Sequence, residues 1–366
     1  MDIIIKTLNP QELLEFINHD TYDNLAVVPI SKHRAISHIN NPRVDPEDTI
    51  MILAYMSDVL VGYLGVFADR LHFEQETSKA GWLSCMWVDP VTRGKGVAKR
   101  LLQTALDHWN QKILVTEFTV PAKGLYDRSK AFQDLNIKKG VRVFFRYNSH
   151  QILPPKKEIF QRLKPVLKIA DATANLVIGP FQSKGKDKLE TDYKICNHID
   201  SQIEAFINPR NKDQLIRRNA TDIKWILQHP WVISGSDTNN YKERYEFSAI
   251  DDFTFIPVKL LDKENNIYAF LLFSKRNGHL KIPYAYFDNK HTNTILELIA
   301  HLAKKWNVNM LSCFHSELIE AILNNKFPGI HKREIKRHYI VSKVFEQQLE
   351  RYPIVLQDGD ADCVFT

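Results

Sequence analysis

Cysteine is scarce: Cys85, Cys196, Cys313 and Cys363 are the only four in 366 residues, and none forms a CxxC pair of the kind used for zinc or redox chemistry. No apolar run approaches the ~20 residues needed to cross a bilayer. The chain opens Met-Asp, without the basic-then-apolar pattern of a secretory signal. A dominant charge sign is missing too. With 49 basic and 43 acidic side chains the formal net charge is +6, too mild a field to argue for nucleic acid. These absences lead to the expectation of a reduced, cytoplasmic protein with neither a membrane nor a nucleic acid as partner. What is present is ordinary globular material. The chain is 44% apolar and long enough for two domains at roughly 150 residues each.

Glycine is also sparse, which makes one cluster conspicuous. An apolar run from Gly81 to Val88 stops at Asp89-Pro90, because proline cannot continue a central ladder. Arg93-Gly94-Lys95-Gly96 follows, and then Val97, Leu101, Leu102, Ala105, Leu106 and Trp109 recur at helical spacing. The glycines permit a sharp turn and close approach of a ligand to the backbone. The first N–H groups of a helix have no partner within it and carry the positive end of its dipole. Strand, glycine turn and helix together predict a phosphate or pyrophosphate site.

Around this turn the pattern predicts a layered α/β domain over residues 1–150. A strand at Ile3 to Ile5 leads to helices after Asn9-Pro10 and from Ser31 to Ile39. A hairpin joins Thr49 to Tyr55 with Leu60 to Phe67. Beyond the glycine turn, a strand at Ile113 to Val120, a helix at Ala122 to Phe132 and a closing strand at Val141 to Tyr147 complete the domain.

These residues resemble the GNAT-type N-acetyltransferases. Arg93-x-x-Gly96-x-Ala98 matches the R/Q-x-x-G-x-G/A signature of that family, after the V-x-P of its fourth strand. Val59 to Leu64 is similar to its third strand, and the resemblance covers about residues 1–148. It implies an α/β (α+β mixed-sheet) acyl-CoA N-acyltransferase fold. It further implies transfer of an acetyl group from acetyl-CoA to a primary amine, on a small molecule or a peptide, by direct attack in a ternary complex. Position by position, the pyrophosphate would lie on Arg93, Gly94, Lys95, Gly96, Val97 and Ala98. The pantetheine arm would pair with Met86, Trp87 and Val88. Simple alternation would put Met86 and Val88 on the face of Ser84, and Trp87 with Cys85 on the other.

In that family the proton donor is a tyrosine in N-x-x-A-x-x-L-Y. Here Thr119 to Tyr126 keeps Ala122, Leu125 and Tyr126, with Thr119 in place of the asparagine that bonds the cofactor arm. The resemblance therefore assigns Tyr126 as acid and Thr119 to the cofactor; a tyrosine that merely packs is the alternative. Glu117, and further off Asp69, His72 and Glu74, are candidates to drain a proton from the acceptor ammonium, each against the reading of a solvated surface group. Cys85 reads as a small core residue, with no histidine near it in sequence.

Residues 151–195 read as a connector with a helix from Lys157 to Ile178 and a polar loop at Ser183 to Lys188. Residues 196–350 read as a second, degenerate copy of the same fold, acceptor-shaping or structural. Paired helices (Ile199 to Ile207, Leu215 to Gln228), a hairpin, and a strand Leu280 to Phe287 interrupted by Pro283 are followed by a helix ending near Trp306. Asp89 precedes Trp109 by 20 residues and Asp288 precedes Trp306 by 18, but Asp288 to Asn293 contains no glycine. One cofactor site per chain is expected. Residues 351–366 form a tail whose Asp358-x-Asp360-x-Asp362 invites a calcium reading. The later glutamate of that motif is missing, so a solvated acidic tail and no metal are expected. Two other functions stay open: a non-catalytic CoA-binding sensor or scaffold, and a tandem transferase using another acyl or aminoacyl donor.

Overall fold

The computed structural model describes residues 2–74, 76–154, 157–182, 191–234, 249–250 and 252–365. They form two compact units built from separated stretches of chain. The first comprises Met1–Lys138, His198–Phe253 and Arg337–Thr366; the second comprises Lys139–Asn197 and Thr254–Lys336. The loop expected at Ser183 to Lys188 lies outside the described residues.

The first unit opens with β1 (Ile4–Leu8) and α1 (Pro10–Asn18), where Asn9 and Glu12 close a reciprocal capping box. Ser31 caps α2 (Lys32–Ile39). β2 (Met51–Met56) turns into β3 (Val59–Phe73) through Ser57 and Asp58, both left-handed at φ +48° and +63°, as a two-residue hairpin requires. β4 (Glu76–Val88) returns antiparallel along β3, and α3 (Val97–His108) crosses to the parallel β5 (Ile113–Thr116). One face of this sheet packs on Val97, Leu101, Leu102, Ala105 and Leu106 of α3. Gly62 makes that approach possible, since a Cβ there would stand 2.7 Å from Val97 Cγ1. The other face packs on Leu13 and Ile17 of α1 and Ala35 of α2. α4 (Val120–Ser129) follows β5, capped by the Thr119 hydroxyl.

The remaining strands are β6 (Phe132–Phe144), β7 (Asp192–Ile195), the short parallel pair β8 (Ile233–Ser234) and β9 (Ala249–Ile250), β10 (Phe253–Leu261), β11 (Ile267–Arg276), β12 (His279–Phe287), β13 (Met310–Cys313) and β14 (His331–Ser342). In the first unit the strand order is β1-β2-β3-β4-β5-β14; in the second it is β7-β10-β11-β12-β13-β6. Directions agree as well: β4–β5 and β12–β13 are parallel, while β5–β14 and β13–β6 are antiparallel. The helix Thr292–Lys305 occupies the place after β12 that α3 has after β4. Pro283 falls beside a register shift between β11 and β12, where a missing N–H breaks no ladder bond.

Several local expectations need correction. The strand expected to continue to Val120 stops at Thr116, because Glu117 is left-handed at φ +53°. Val141 to Phe144, read as closing the first domain, pairs with Cys313 to Met310 in the second unit. The helices Ser201–Ile207 and Ala220–Gln228, read as opening the second copy, lie in the first unit. There Trp225 and Trp231 donate from their indole nitrogens to Ser37 at the end of α2, at 2.9 and 2.8 Å. The tail is not solvated either. Asp358, Asp360, Cys363, Val364 and Phe365 are buried in the first unit, and the Phe365 ring stacks on Trp231 at 4.5 Å.

Candidate active site

Sequence predicts an anion cradle at Arg93–Ala98, and the backbone there has the required form. Gly94 and Gly96 are left-handed at φ +85° and +87°, a region L side chains avoid. Gly96 is the residue before the first turn of α3, and no side chain caps that helix. A Cβ added at either glycine would meet nothing within 4 Å, so the space over the turn is open. Arg93 and Lys95 are exposed beside it. A helix N-terminus with its dipole, open space over the turn and two exposed cations within it are the chemistry that holds a pyrophosphate. In the second unit the stretch Asp288–Asn293 has neither glycine nor any residue of positive φ.

The strand leading into the cradle loses its neighbour. β4 pairs with β5 only at Gly81–Ile113 and Trp82–Leu114, so beyond Trp82 the two strands part. The freed edge of β4 includes Met86, Trp87 and Val88, all half-buried. A β-bulge interrupts it: Gly65 of β3 faces Ser84, but Tyr63 faces Trp87, and Cys85 is left-handed at φ +52°. The extra residue shifts the side-chain alternation. Met86 and Val88 pack on the α3 side, whereas Cys85 and Trp87 pack on the α1/α2 side with Tyr63. Ser84, expected to share the face of Met86, points the other way, toward Arg34 of α2.

Where β5 ends, three further residues named from the sequence come together on the chain but not in role. Glu117 is exposed and accepts from Arg337 Nε at 2.7 Å. The Thr119 hydroxyl accepts from Ala122 N at 3.4 Å as the cap of α4. Tyr126 is buried between Phe118 and Phe132, and burial pushes its phenol up to about 12. The other proton acceptors considered are committed elsewhere: Asp69 is buried against Arg43 and Arg218, His72 is lowered to about 4 by burial, and Glu74 accepts from Tyr352.

Residues 13–132 match the sequence profile of the acetyltransferase (GNAT) family. They form a GNAT acetyltransferase domain. No curated protein matches the chain by sequence. Among solved structures, a GCN5-related N-acetyltransferase from Anabaena variabilis is 9% identical, with TM-score 0.53 over 93% of this chain and 72% of that one. A probable N-acyltransferase from Enterococcus faecalis V583 is 10% identical, also at TM-score 0.53, over 93% and 72%. The N-myristoyltransferase of Saccharomyces cerevisiae with bound myristoyl-CoA is 11% identical, at TM-score 0.53, over 93% and 82%. At these identities the likeness is one of fold, a mixed α/β architecture shared with GNAT-type acyltransferases. No described helix is long and apolar enough to cross a membrane.

The first unit also contains a polar cluster beside the parted strands that sequence reasoning missed. Ser84 accepts from Arg34 Nη2 at 2.5 Å and donates to Asp362 at 2.7 Å. Arg34 itself lies 4.0 Å over the Trp231 ring. Arg337, which holds Glu117, also donates to the Asp358 carboxylate. The tail thus borders the parted strands through Asp358 and Asp362. The signal was present in the spacing of the three carboxylates, but their partners stand at positions 84, 218 and 337, beyond any local window.

Proposed function

We propose that this protein is an acyl-CoA-dependent N-acyltransferase that moves an acetyl group from acetyl-CoA to a primary amine by direct attack. The reading is carried by one observation: an open, left-handed glycine turn at the start of α3, at the foot of a strand whose edge is unpaired beyond Trp82. The turn from Arg93 to Ala98 would bind the pyrophosphate. The free edge at Met86, Trp87 and Val88 would pair with the amide-bearing arm of CoA and direct an N–H at the thioester oxygen, stabilising the oxyanion as it forms. Thr119 would border the arm near the start of α4. Tyr126 keeps its proton throughout the neutral range, so toward a leaving thiolate it can only donate. The four cysteines carry no disulfide, which fits a reduced, cytoplasmic setting.

We read the second unit as a degenerate copy of the fold, because its strand order and directions repeat those of the first while its turn before Thr292 lacks glycine. One cofactor per chain follows. The test is release of free thiol from acetyl-CoA, and in parallel from longer acyl-CoAs, in the presence of a library of amines. Amine-dependent release with saturable CoA binding is expected. CoA binding without release from any donor would make the protein a sensor instead; no CoA binding would end both readings.

A further inference from the structure

The geometry points to Asp362, in the C-terminal tail, as the group that takes the proton from the acceptor ammonium. This rests on the transferase reading and adds the residue that reading lacks. With the pyrophosphate at Arg93–Ala98 and the arm running back along Val88, Trp87 and Met86, the thioester falls near the bulge at Ser84–Met86. That is close to where the strands rejoin at Trp82. On the α1/α2 side of the bulge stands Ser84, and its hydroxyl donates to Asp362 Oδ2 at 2.7 Å.

Other carboxylates near this point are less suited. Glu117 is paired with Arg337, Asp358 with the same arginine, and Asp360 is fully buried. Asp362 is half-buried as a residue, and its carboxylate is held by the Ser84 hydroxyl rather than by an arginine ion pair among the described contacts. The groups that face it are Arg34 from α2, Ser84 from β4, Glu117 from beyond β5 and its neighbour Cys363. Burial, with help from Glu117, raises its pKa above the ordinary carboxylate range against the opposing effects of Arg34 and Ser84. A carboxylate so placed is a stronger base than a solvated one.

The step balances simply. Asp362 carboxylate takes one proton from the ammonium, and the amine lone pair forms the C–N bond at the thioester carbonyl. The nitrogen gives up its second proton as the amide forms, the C–S bond breaks, and the thiolate of CoA leaves and takes up one proton. The Asp362 proton passes to solvent.

The experiment uses the full chain and whichever acyl-CoA supports turnover, with two acceptors: n-butylamine, almost wholly protonated at neutral pH, and hydroxylamine, almost wholly free base. Rates are corrected for the uncatalysed reaction. Asp362→Asn should lower the butylamine rate by at least about a hundredfold, and should leave the hydroxylamine rate and CoA affinity nearly unchanged. In the unsubstituted protein the butylamine rate should be level near neutral pH and fall as pH drops through the Asp362 pKa, whereas the hydroxylamine rate, referred to its free-base concentration, should not. This second measurement stands even if the variant fails to fold. Equal losses with both acceptors, no loss with either, or the same acid limb for both would overturn the assignment. A parent protein inert toward both amines sinks the transferase reading itself.

Discussion

Tyr126 and Glu117 show how two residues close in sequence part company in their surroundings. Tyr126 has its ring against Phe118 and Phe132 at centroid distances of 6.0 and 5.5 Å, and burial pushes its phenol up to about 12. Its proton is therefore retained at neutral pH, and under the proposed function it would pass to the leaving thiolate against the pKa difference, since a free thiol ionises near ~8.5. Tyr126→Phe keeps both ring contacts and removes only the hydroxyl. Turnover is expected to fall about a hundredfold while CoA affinity and melting temperature stay close to the parent. Steady-state kinetics with a CoA titration checks it, and unchanged turnover would return Tyr126 to a packing role. Glu117 differs because its carboxylate is held by Arg337 at 2.7 Å. A proton transferred to it would weaken that ion pair.

Among elements, the start of α3 carries the cofactor argument, and its test is conformational. A Cβ at Gly96 would meet no neighbour, so Gly96→Ala costs only the left-handed backbone, about 1–2 kcal/mol. Either the variant keeps φ near +87° and is less stable by that amount, or the turn relaxes and the N–H groups no longer converge. In the first case the new methyl stands in the open space over the turn where the pyrophosphate would lie, and in the second the N–H groups are lost, so both predict weaker CoA binding, measured by titration beside thermal unfolding; unaltered affinity in a folded variant would remove the turn from the cofactor site. This element was legible because each of its residues acts locally: proline ends the strand, glycine turns, and the apolar spacing sets the helix. The helix start at Asn9-Pro10 and the hairpin between β2 and β3 were legible for the same reason. The bulge was not. Cys85 has no intrinsic preference for φ +52° and is held there by the pairing of Ser84 and Trp87 with β3 on either side of it, so strict alternation put Ser84 on the wrong face. Glu117 ends β5 in the same unannounced way.

For the molecule as a whole, the first unit is assembled from three stretches of chain that no local pattern joins. A buried charge network ties them. Arg43 binds Asp69 and Asp222, at 2.5 and 2.8 Å; Arg218 binds Asp69 at 2.6 Å; and Asp360 of the tail stands 3.9 Å from Arg218. Alternating carboxylates in a terminal segment read as a solvated face, and only the fold brings the arginines to them. Two arginines balance Asp69 and Asp222, so the third acid is in excess. Burial accordingly raises Asp360 to about 7, opposed by Arg218. In the unfolded chain the same carboxyl ionises near ~3.9. Folding is therefore favoured by the protonated form; this contribution is full below that value and is lost as pH rises through about 7. Asp360→Asn keeps an oxygen for the Gln357 N–H, which Asp360 Oδ2 accepts at 2.7 Å, and removes the titration. Relative to the parent, the melting temperature of this variant should climb as pH rises from about 4 to beyond 7, because only the parent must bury an excess negative charge. The difference between the two proteins cancels the carboxylates they share, including Asp69, whose lowered pKa works in the opposite direction. A difference that is flat across this range, or that shrinks as pH rises, would mean that the tail carboxyl is already ionised and paired within the network.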